Sequence, residues 1–508
     1  MSAPASEAGP PAPRLVARRL GLITQHEAVV LMRTDCHVCR AEGLSAKAQV
    51  AISANGREVY ATLYQVDDDW LGQEEAGLSE SLWARLGVGD GAEITVRHAP
   101  SLESMSSVRR RIYGQRLSDG DLHGVVGDIA AGRYTDIHLA AFLTASSALA
   151  LDHQETVALT RAMIDAGERL SWPGPVVVDK HSVGGLPGNR TTPLVVAIVA
   201  ACGLTMPKTS SRAITSPAGT ADTMETLAPV DLDLPAIRRV VEAEGGCVVW
   251  GGAVRLSPAD DIFIRVERVL DVDTEGQLVA SVLSKKIAAG STHVVLDIPV
   301  GPTAKVRTED AAERLSGALS RVAAEFGLAT RCVLSDGAQP VGRGVGPALE
   351  AHDVLAVLQN QADAPPDLRR HACVLAGEAL EFGGAAAAGE GLRLAEAVLA
   401  DGRAWRKFLA ICEAQGGLRT PPSASYTRPL TASRGGRIVH INNRKIARLA
   451  KLAGAPDVKA AGVRLMARLG DEVASGQPWV MIHADSPGEL EYALDYANRN
   501  PDLMEVEA

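Results

Sequence analysis

The chain has 508 residues, of which 46% are hydrophobic and 22% charged, and this composition excludes a wholly disordered protein because it supplies ample apolar surface for a core. A formal net charge of −10, without any dense stretch of lysine and arginine, excludes a nucleic-acid scaffold. No apolar run reaches the roughly 20 residues that a membrane-spanning helix needs, so we expect no membrane contact.

The N-terminal hundred residues divide into two parts. Residues 1–13 lack a charged start followed by an apolar core, so we expect a disordered N-terminus on a cytoplasmic protein. From residue 14 to residue 100, short β-type runs alternate with turn signals such as Asn55-Gly56. This pattern predicts a separate β-rich domain over 14–100.

The cysteines suggest no disulfide framework, since there are seven and they are scattered through a long chain. Cys36 and Cys39 form a single CxxC around His37, which leaves a metal site or a redox switch open. A complete zinc site needs a second pair of ligands, and the neighbouring sequence lacks one. We therefore predict no metal.

Residues 104–170 change to helical periodicity. Thr135 and Asp136 suit a helix N-terminus, and the segment Glu155–Asp165 repeats apolar residues at helical spacing before Gly167 ends it. These patterns predict a helical lobe.

The next segment, from residue 176 to about residue 418, alternates strand and helix patterns and predicts a mainly parallel sheet flanked by helices. An apolar run at 175–178 predicts a buried strand that ends in Asp179-Lys180-His181-Ser182. A glycine-rich turn at 184–188 follows, and Thr191 and Thr192 before Pro193 suit a helix N-cap followed by proline at the first helical position. A strand, a glycine turn and a helix N-terminus together indicate an anion site, although an ordinary turn of this kind shows the same pattern.

A second polar stretch strengthens the anion interpretation. Residues 208–212 and 215–220 predict two hydroxyl-rich loops, followed by a helix that opens with Asp222 and Glu225. With Lys180 and Arg212, these loops can enclose one phosphate.

The C-terminal region begins after a predicted linker at Thr420-Pro421-Pro422. Residues 423–508 predict an α+β domain, with a strand at 436–442, a short helix at 444–453 and a hairpin at 470–483. The hairpin resembles that of lipoyl-type carriers but lacks a lysine at its tip, so we favour a structural domain over a carrier.

The motifs in 179–225 resemble a known family signature. The run Asp179–Gly185, together with Ser210–Arg212 and Gly219–Glu225, is similar to the signature of the thymidine and pyrimidine-nucleoside phosphorylases. The sequence of Ser211–Ser216 resembles the corresponding motif of their long-form branch, which includes AMP phosphorylases. The short forms have Gly-His-Thr-Gly-Gly-Thr where this chain has Thr215–Thr220, and that difference puts thymidine specificity in doubt.

The resemblance implies an α/β architecture with several parts. A helical lobe would comprise 104–170 plus 257–290, and a large, mainly parallel α/β lobe would comprise 174–256 plus 291–418, with the active-site cleft between them. The N-terminal β-rich domain would serve assembly into a homodimer or larger homo-oligomer.

The resemblance also implies the activity. We expect phosphorolysis of the N-glycosidic bond of thymidine, giving thymine and 2-deoxyribose 1-phosphate. The alternative is a nucleoside 5′-monophosphate phosphorylase that gives a base and ribose 1,5-bisphosphate. Inorganic phosphate is a co-substrate, and no cofactor is expected.

The resemblance assigns roles to individual residues. The attacking phosphate would be bound by Lys180, Ser182, Thr192, Ser210 and Thr220. Taken singly, each of these serines and threonines is better explained as a cap or turn residue. Further substrate contacts would come from Gly185, Ser211, Arg212, Ala213, Ile214, Thr215, Ser216, Ser281, Lys285 and Lys305. Asp273 and His181 are the two candidates for the acid that assists departure of the base, and neither is preferred. Lys286 is expected to be a solvated surface lysine.

Two other functions compete with phosphorolysis. An anthranilate-type phosphoribosyltransferase has a similar Lys-His-Gly run and would use Asp222 and Glu225 as magnesium ligands. A nucleotide sensor would bind in the same pocket without turnover.

Overall fold

The computed structural model describes residues 14–213, 216–270, 272 and 274–507, which fall into two compact units. One unit contains the described residues up to Arg110 together with Asp128–Leu139, and the other contains Arg111–Gly127 and the chain from Ala140 onward. Within the described ranges, no helix combines the length and apolar character needed to cross a bilayer.

The first unit is built on a closed six-stranded barrel with the strand order β1-β5-β2-β4-β3-β6. Alternate residues of the first and last strands, which pair to close the barrel, point inward. Leu15 and Ala17 are buried on the first strand, and Ile94 and Val96 are buried on the last. The predicted β-rich N-terminal region is thereby confirmed. Its elements are β1 (Arg14–Arg19), β2 (Val29–Arg33), α1 (His37–Glu42), β3 (Gln49–Ala54), β4 (Arg57–Val66), β5 (Glu75–Leu78), α2 (Glu80–Leu86) and β6 (Glu93–His98).

The CxxC pair lies at the start of α1 with both thiols buried and free. The Cys36 sulfur accepts a hydrogen bond from the Cys39 backbone N–H at 3.2 Å and caps the helix. A hydrogen bond from the Cys39 side chain lowers the pKa of Cys36 to about 6. Over the parts of the chain that the structure describes, no group of three or more potential metal ligands occurs.

Four helices follow the barrel along the chain. The last of them starts at a capping box, in which the Asp152 carboxylate accepts from the Glu155 N–H at 2.9 Å and the Glu155 carboxylate accepts from the Asp152 N–H. They are α3 (Met105–Ile112), α4 (Asp119–Ala130), α5 (Asp136–Ala148) and α6 (His153–Asp165).

The α/β part of the second unit contains two sets of parallel strands, as predicted. One set has the order β11-β10-β7, the other pairs β8 with β9, and a parallel bridge between Val177 and Thr205 joins them. The elements are β7 (Val178–Ser182), α7 (Thr191–Ala201), β8 (Met206–Ser210), α8 (Thr220–Glu225), α9 (Leu234–Glu244), β9 (Gly246–Trp250), α10 (Pro258–Leu270), α11 (Glu275–Ala288), β10 (His293–Val300), α12 (Glu309–Ala324) and β11 (Ala329–Asp336).

Helices α10 and α11 pack against α6, the last helix of the predicted helical lobe. That residues 257–290 belong to this lobe stays a prediction. Phe142 of α5 stacks on Phe263 of α10 with ring centroids 5.7 Å apart.

Helix α7 forms the centre of the main core. It is apolar on all sides, and Leu194, Ile198 and Val199 have no exposed surface. Its packing partners include two later helices that lie against it, α14 and α16. The elements that follow β11 are β12 (Gly344–Val345), α13 (Pro347–Leu358), α14 (Pro366–Phe382), α15 (Gly391–Ala400) and α16 (Arg403–Gln415).

The C-terminal region forms two small sheets, β12-β15-β17-β13 and β16-β14-β18. The predicted hairpin at 470–483 is wrong, because β16 pairs with β14 whereas β17 lies between β15 and β13. The elements are β13 (Tyr426–Thr431), β14 (Gly436–Ile441), α17 (Asn443–Leu452), β15 (Gly462–Leu465), β16 (Glu472–Val473), β17 (Pro478–Ala484), α18 (Pro487–Arg499) and β18 (Met504–Glu507).

Candidate active site

Strand β7 carries the central residues of the site within its hydrogen-bonded part. The sequence predicted a strand at 175–178 with polar residues after it, whereas β7 spans Val178–Ser182 and pairs with β10 along its whole length. The register places Ser182 beside Asp297. The side chains of β7 are therefore fixed by the sheet and do not belong to a loop.

Asp179 is fully buried between two lysines. Its carboxylate lies 3.3 Å from Lys208 Nζ and 2.9 Å from Lys286 Nζ. Burial opposes ionisation of Asp179, but the two ammonium groups lower its pKa. The prediction that Lys286 is a solvated surface lysine is wrong, since only 3% of its side chain is exposed. Lys208 also lies in strand β8 and not in the predicted loop.

Lys180 is buried and makes its hydrogen bond to a hydroxyl group. Its Nζ donates to Thr191 Oγ1 at 2.8 Å. Burial lowers the pKa of Lys180 to about 8, against the effect of the nearby Asp297 carboxylate. A buried ammonium group without a directly bonded carboxylate favours an incoming anion, which would restore the charge balance.

A polar cluster supports Lys180 from the β10 side. The Asp297 carboxylate accepts from Ser335 Oγ at 2.6 Å and lies 3.2 Å from His371 Nε2. Asn189 Nδ2 donates to Ser182 Oγ at 3.2 Å and lies 3.4 Å from Asp297. Because Ser182 accepts from Asn189, its own O–H is available to donate to a ligand.

The glycine turn after β7 brings two predicted contact residues together. Gly185 has a φ of +81°, which L-residues with side chains rarely adopt, and a Cβ atom there would lie 3.1 Å from Lys305. Helix α7 then begins at Thr191, so that Pro193 is its third residue and not its first. Thr192 is buried in the first turn.

Ser182 and Ser210 close the strands β7 and β8, and each lies five residues beyond the bridged pair Val177 and Thr205. Ser210 is 8% exposed and closes β8. Its hydroxyl oxygen is buried and has no hydrogen-bond partner among the described residues. A buried orphan hydroxyl is costly, so this position favours a polar ligand.

Thr220 is placed by Arg190, whose side chain is 11% exposed. Arg190 donates to Thr220 Oγ1 and to the Ala218 carbonyl, both at 2.9 Å, and its Nε donates to Glu350 at 2.6 Å. Glu350 also accepts from Thr223 Oγ1 at 2.9 Å. The first turn of α8 is thus tied to α13.

Arg212 is engaged in ion pairs within the protein. Its guanidinium binds Glu225 through two nitrogens at 2.8 Å, lies 3.1 Å from Asp222 and covers the Trp250 ring at 4.9 Å. Lys459 reaches the same two carboxylates. Ser211 and Ala213 flank this arginine, and Ser216 Oγ donates to the Ala218 carbonyl at 2.7 Å. The predicted contacts Ile214 and Thr215 lie outside the described residues.

Helix α11 contributes Ser281 and Lys285, four residues apart, as expected for one helical face. Lys285 contacts the Asp260 carboxylate. Against the effect of burial, Asp260 and Asp261 raise the pKa of Lys285. The candidate acid Asp273 lies outside the described residues.

His181 faces an environment rich in lysine. The pKa of His181 is lowered well below its ordinary value. Burial is the largest cause, and the positive charges of Lys286, Lys208 and Lys285 add to it. The imidazole is therefore neutral at pH 7, with one N–H to donate and no readily lost proton. A neutral imidazole of this kind can donate one hydrogen bond to a ligand.

Sequence reasoning missed the residues that support the site. Asp297, Glu350 and Lys459 are distant in the sequence, and no local motif marks them. Lys286 did carry a signal, because Val279, Val282 and Leu283 lie seven, four and three positions before it on the buried face of α11.

The chain matches three protein-family models. Residues 106–167 match the glycosyl transferase family helical bundle domain, and residues 174–405 match the a/b domain of the same family. Residues 438–503 match the pyrimidine nucleoside phosphorylase C-terminal domain.

Similar proteins span the whole length. A Chelativorans sp. protein named "Putative thymidine phosphorylase" is 68% identical over 100% of both chains, and a Tolumonas auensis protein of the same name is 62% identical over 98% of this chain and 99% of its own. Among solved structures, anthranilate phosphoribosyltransferase from Saccharomyces cerevisiae, in complex with PRPP and Mg, has a TM-score of 0.50 at 18% identity, covering 62% of this chain and 98% of its own. The last similarity concerns the fold alone.

Proposed function

Because the chain belongs to the thymidine phosphorylase family of glycosyltransferases, we propose that it catalyses phosphorolysis of thymidine, giving thymine and 2-deoxyribose 1-phosphate. The observation that carries the proposal is the buried Lys180 on β7, next to a strand that ends in the unpartnered hydroxyl of Ser210. A cation with hydroxyl donors at the ends of parallel strands suits a phosphate ion.

In this mechanism, residues near the carboxyl ends of the parallel strands bind the attacking phosphate. Lys180 supplies the charge, and Ser182, Ser210 and Thr220 donate to phosphate oxygens as the family pattern predicts. An oxygen of phosphate forms a bond to C1′ of the sugar while the C1′–N1 bond breaks and its electron pair goes to the base. Fixed donors in a site that excludes water stabilise the charge that moves during this step.

The other side of the site would receive the base. The neutral His181 donates its N–H to a carbonyl oxygen of thymine, and Ser281 and Lys285 contact the base from α11, as the family pattern predicts. Negative charge builds on the base as the bond breaks, so each donor binds the transition state more tightly than the substrate. The departing thymine then takes up one proton.

A nucleoside 5′-monophosphate is the second candidate substrate, favoured by the resemblance of Ser211–Ser216 to the AMP phosphorylase branch. The two substrates call for different acids, because departure of a purine is aided by protonation and departure of a pyrimidine by a carbonyl hydrogen bond. With thymidine, His181→Ala should be the more damaging change. With AMP, Asp273→Asn should abolish most cleavage while AMP binding persists.

The test is a base-release assay over thymidine, uridine, AMP, CMP and UMP, with and without phosphate. We expect thymidine to be cleaved only when phosphate or arsenate is present. We also expect turnover to continue in a metal chelator, since no cofactor takes part. A requirement for magnesium with release of diphosphate would instead indicate an anthranilate-type transferase, and binding without turnover would indicate a sensor.

Two further expectations concern the whole protein. A homodimer or larger homo-oligomer should be seen in solution by light scattering, and the location should be cytoplasmic. Phosphate and the nucleoside are the expected small-molecule partners.

A further inference from the structure

The C-terminal domain sends one side chain to the residues that hold the predicted substrate contacts. Lys459, which lies just before β15, places its Nζ 3.1 Å from Glu225 and 3.4 Å from Asp222. It is a third exposed, whereas the Asp222 side chain is 4% exposed. These are the two carboxylates that Arg212 also binds.

The backbone of Lys459 is fixed to the start of α13. Its carbonyl accepts from the Ala348 N–H at 3.0 Å, and β15 pairs with β12 two residues before that helix. Helix α13 also carries Glu350, which binds Arg190 and Thr223. One helix therefore connects the C-terminal domain to both ends of the first turn of α8.

Asp222 and Glu225 in turn hold the backbone before α8. One Asp222 oxygen accepts from the Ala213 N–H at 2.6 Å and from the Gly219 N–H at 2.9 Å. Glu225 holds the Arg212 guanidinium through both of its oxygens. Arg212 comes first and Lys459 second in lowering the pKa of Glu225 to about 2, so the Glu225 carboxylate stays charged at pH 7.

We propose that Lys459 is a positioning residue, which acts from the C-terminal domain through Asp222 and Glu225 to hold Ser211–Ala213 in place for the nucleoside. The inference rests on the proposed function for its kinetic part. The cluster has two cations and two carboxylates, so Lys459 balances its charge. Without Lys459, one carboxylate is in excess close to Thr220, and Arg212 alone must serve both acidic groups.

The kinetic test compares Lys459→Met, Lys459→Arg and the control Lys445→Met. Lys445 belongs to the same domain and pairs with Asp502, away from the cluster. A misplaced contact residue commonly lowers the rate by about tenfold to a hundredfold, so we expect kcat/KM for the nucleoside to fall by about that factor in Lys459→Met. KM for the nucleoside should rise more than KM for phosphate. Lys459→Arg should recover most of the loss, and Lys445→Met should resemble wild type.

A second readout needs no activity. The Arg212 side chain is 34% exposed, so trypsin can cut after it once Ser211–Ala213 is released. Mass spectrometry should detect cleavage after Arg212 several-fold faster in Lys459→Met than in wild type or Lys445→Met, with Lys459→Arg close to wild type.

The outcomes separate the two claims. If wild type cleaves no nucleoside, the proposed function fails, and proteolysis alone then decides whether Lys459 anchors the segment. If wild type is active but Lys459→Met matches Lys445→Met in both kinetics and proteolysis, the positioning role is wrong. A lower melting temperature with unchanged KM values and unchanged cleavage after Arg212 would also overturn it.

Discussion

The end of β7 and the helix α11 each place a lysine near His181, and the two lysines are held in opposite ways. Lys180 donates to the Thr191 hydroxyl, and burial lowers its pKa to about 8. Lys285 contacts the Asp260 carboxylate, which together with Asp261 raises its pKa despite burial. Among the residues that the structure describes, Lys180 thus has no directly bonded carboxylate, whereas Lys285 has Asp260.

Under the proposed function, this contrast would let one site hold an anion and a neutral base side by side. An ammonium group without a directly bonded carboxylate attracts phosphate, and an ion-paired one can donate a hydrogen bond without attracting a second anion. The two lysines differ in their surroundings and not in the type of side chain. Substitution of Lys180 should therefore lower the catalytic rate, whereas substitution of Lys285 should mainly lower stability.

The largest effect is expected for Lys180→Met. It removes the charged donor from the sheet edge and should lower kcat by about 10²–10³-fold, as loss of one donor to a developing charge does. Steady-state kinetics over a range of phosphate concentrations measures this. Lys407→Met is the matched control, because Lys407 pairs with Glu244 at the surface. Equal phosphate dependence in both variants would contradict the assignment.

Lys285→Met should act mainly on stability. It leaves the Asp260 carboxylate buried without its cation, which typically costs about 3–5 kcal/mol in the free energy of unfolding. The double variant Lys285→Met/Asp260→Asn should regain most of that stability in denaturant melts. It should not regain a low KM for the nucleoside. Recovery of both properties would mean that Lys285 is structural and makes no contact with the base.

The pH dependence should reveal Lys180 directly. Its amino group is protonated and positively charged below its pKa of about 8, and the charge is lost as pH rises through that value. We therefore expect kcat/KM for phosphate to fall about tenfold per pH unit above this point. Lys180→Arg should move the falling limb beyond pH of about 10, because guanidinium stays protonated. An identical limb in this variant would assign the titration to another group.

The sequence allowed candidate site residues to be named, but not the groups that support them in the structure. Lys180, Ser182 and Ser210 lie near the ends of predicted strands, where parallel topology places functional side chains, and the fold class followed from the alternation of strand and helix patterns. Asp297, which supports Lys180 from the next strand, lies more than a hundred residues away in the chain. Pairings of that kind depend on sheet register, which periodicity alone does not specify.

The ion-pair partners of a charged side chain are likewise not specified by the local sequence. Arg212 was predicted to help enclose phosphate, but whether it faces a ligand or a carboxylate depends on Glu225 and on the distant Lys459. Its contact with substrate stays a prediction. Burial of Lys286, which was predicted to be exposed, is indicated by its spacing from the apolar residues of α11.

The central claim is that phosphate held by the sheet edge attacks the sugar carbon. Turnover of thymidine with phosphate labelled by ¹⁸O at all four oxygens tests it most directly, with the sugar phosphate analysed by mass spectrometry. We predict that the 2-deoxyribose 1-phosphate retains every labelled oxygen, including the one bonded to C1′, and that Lys180→Met forms little of it. A sugar product without the label, or thymine release at the same rate without phosphate, would contradict the account.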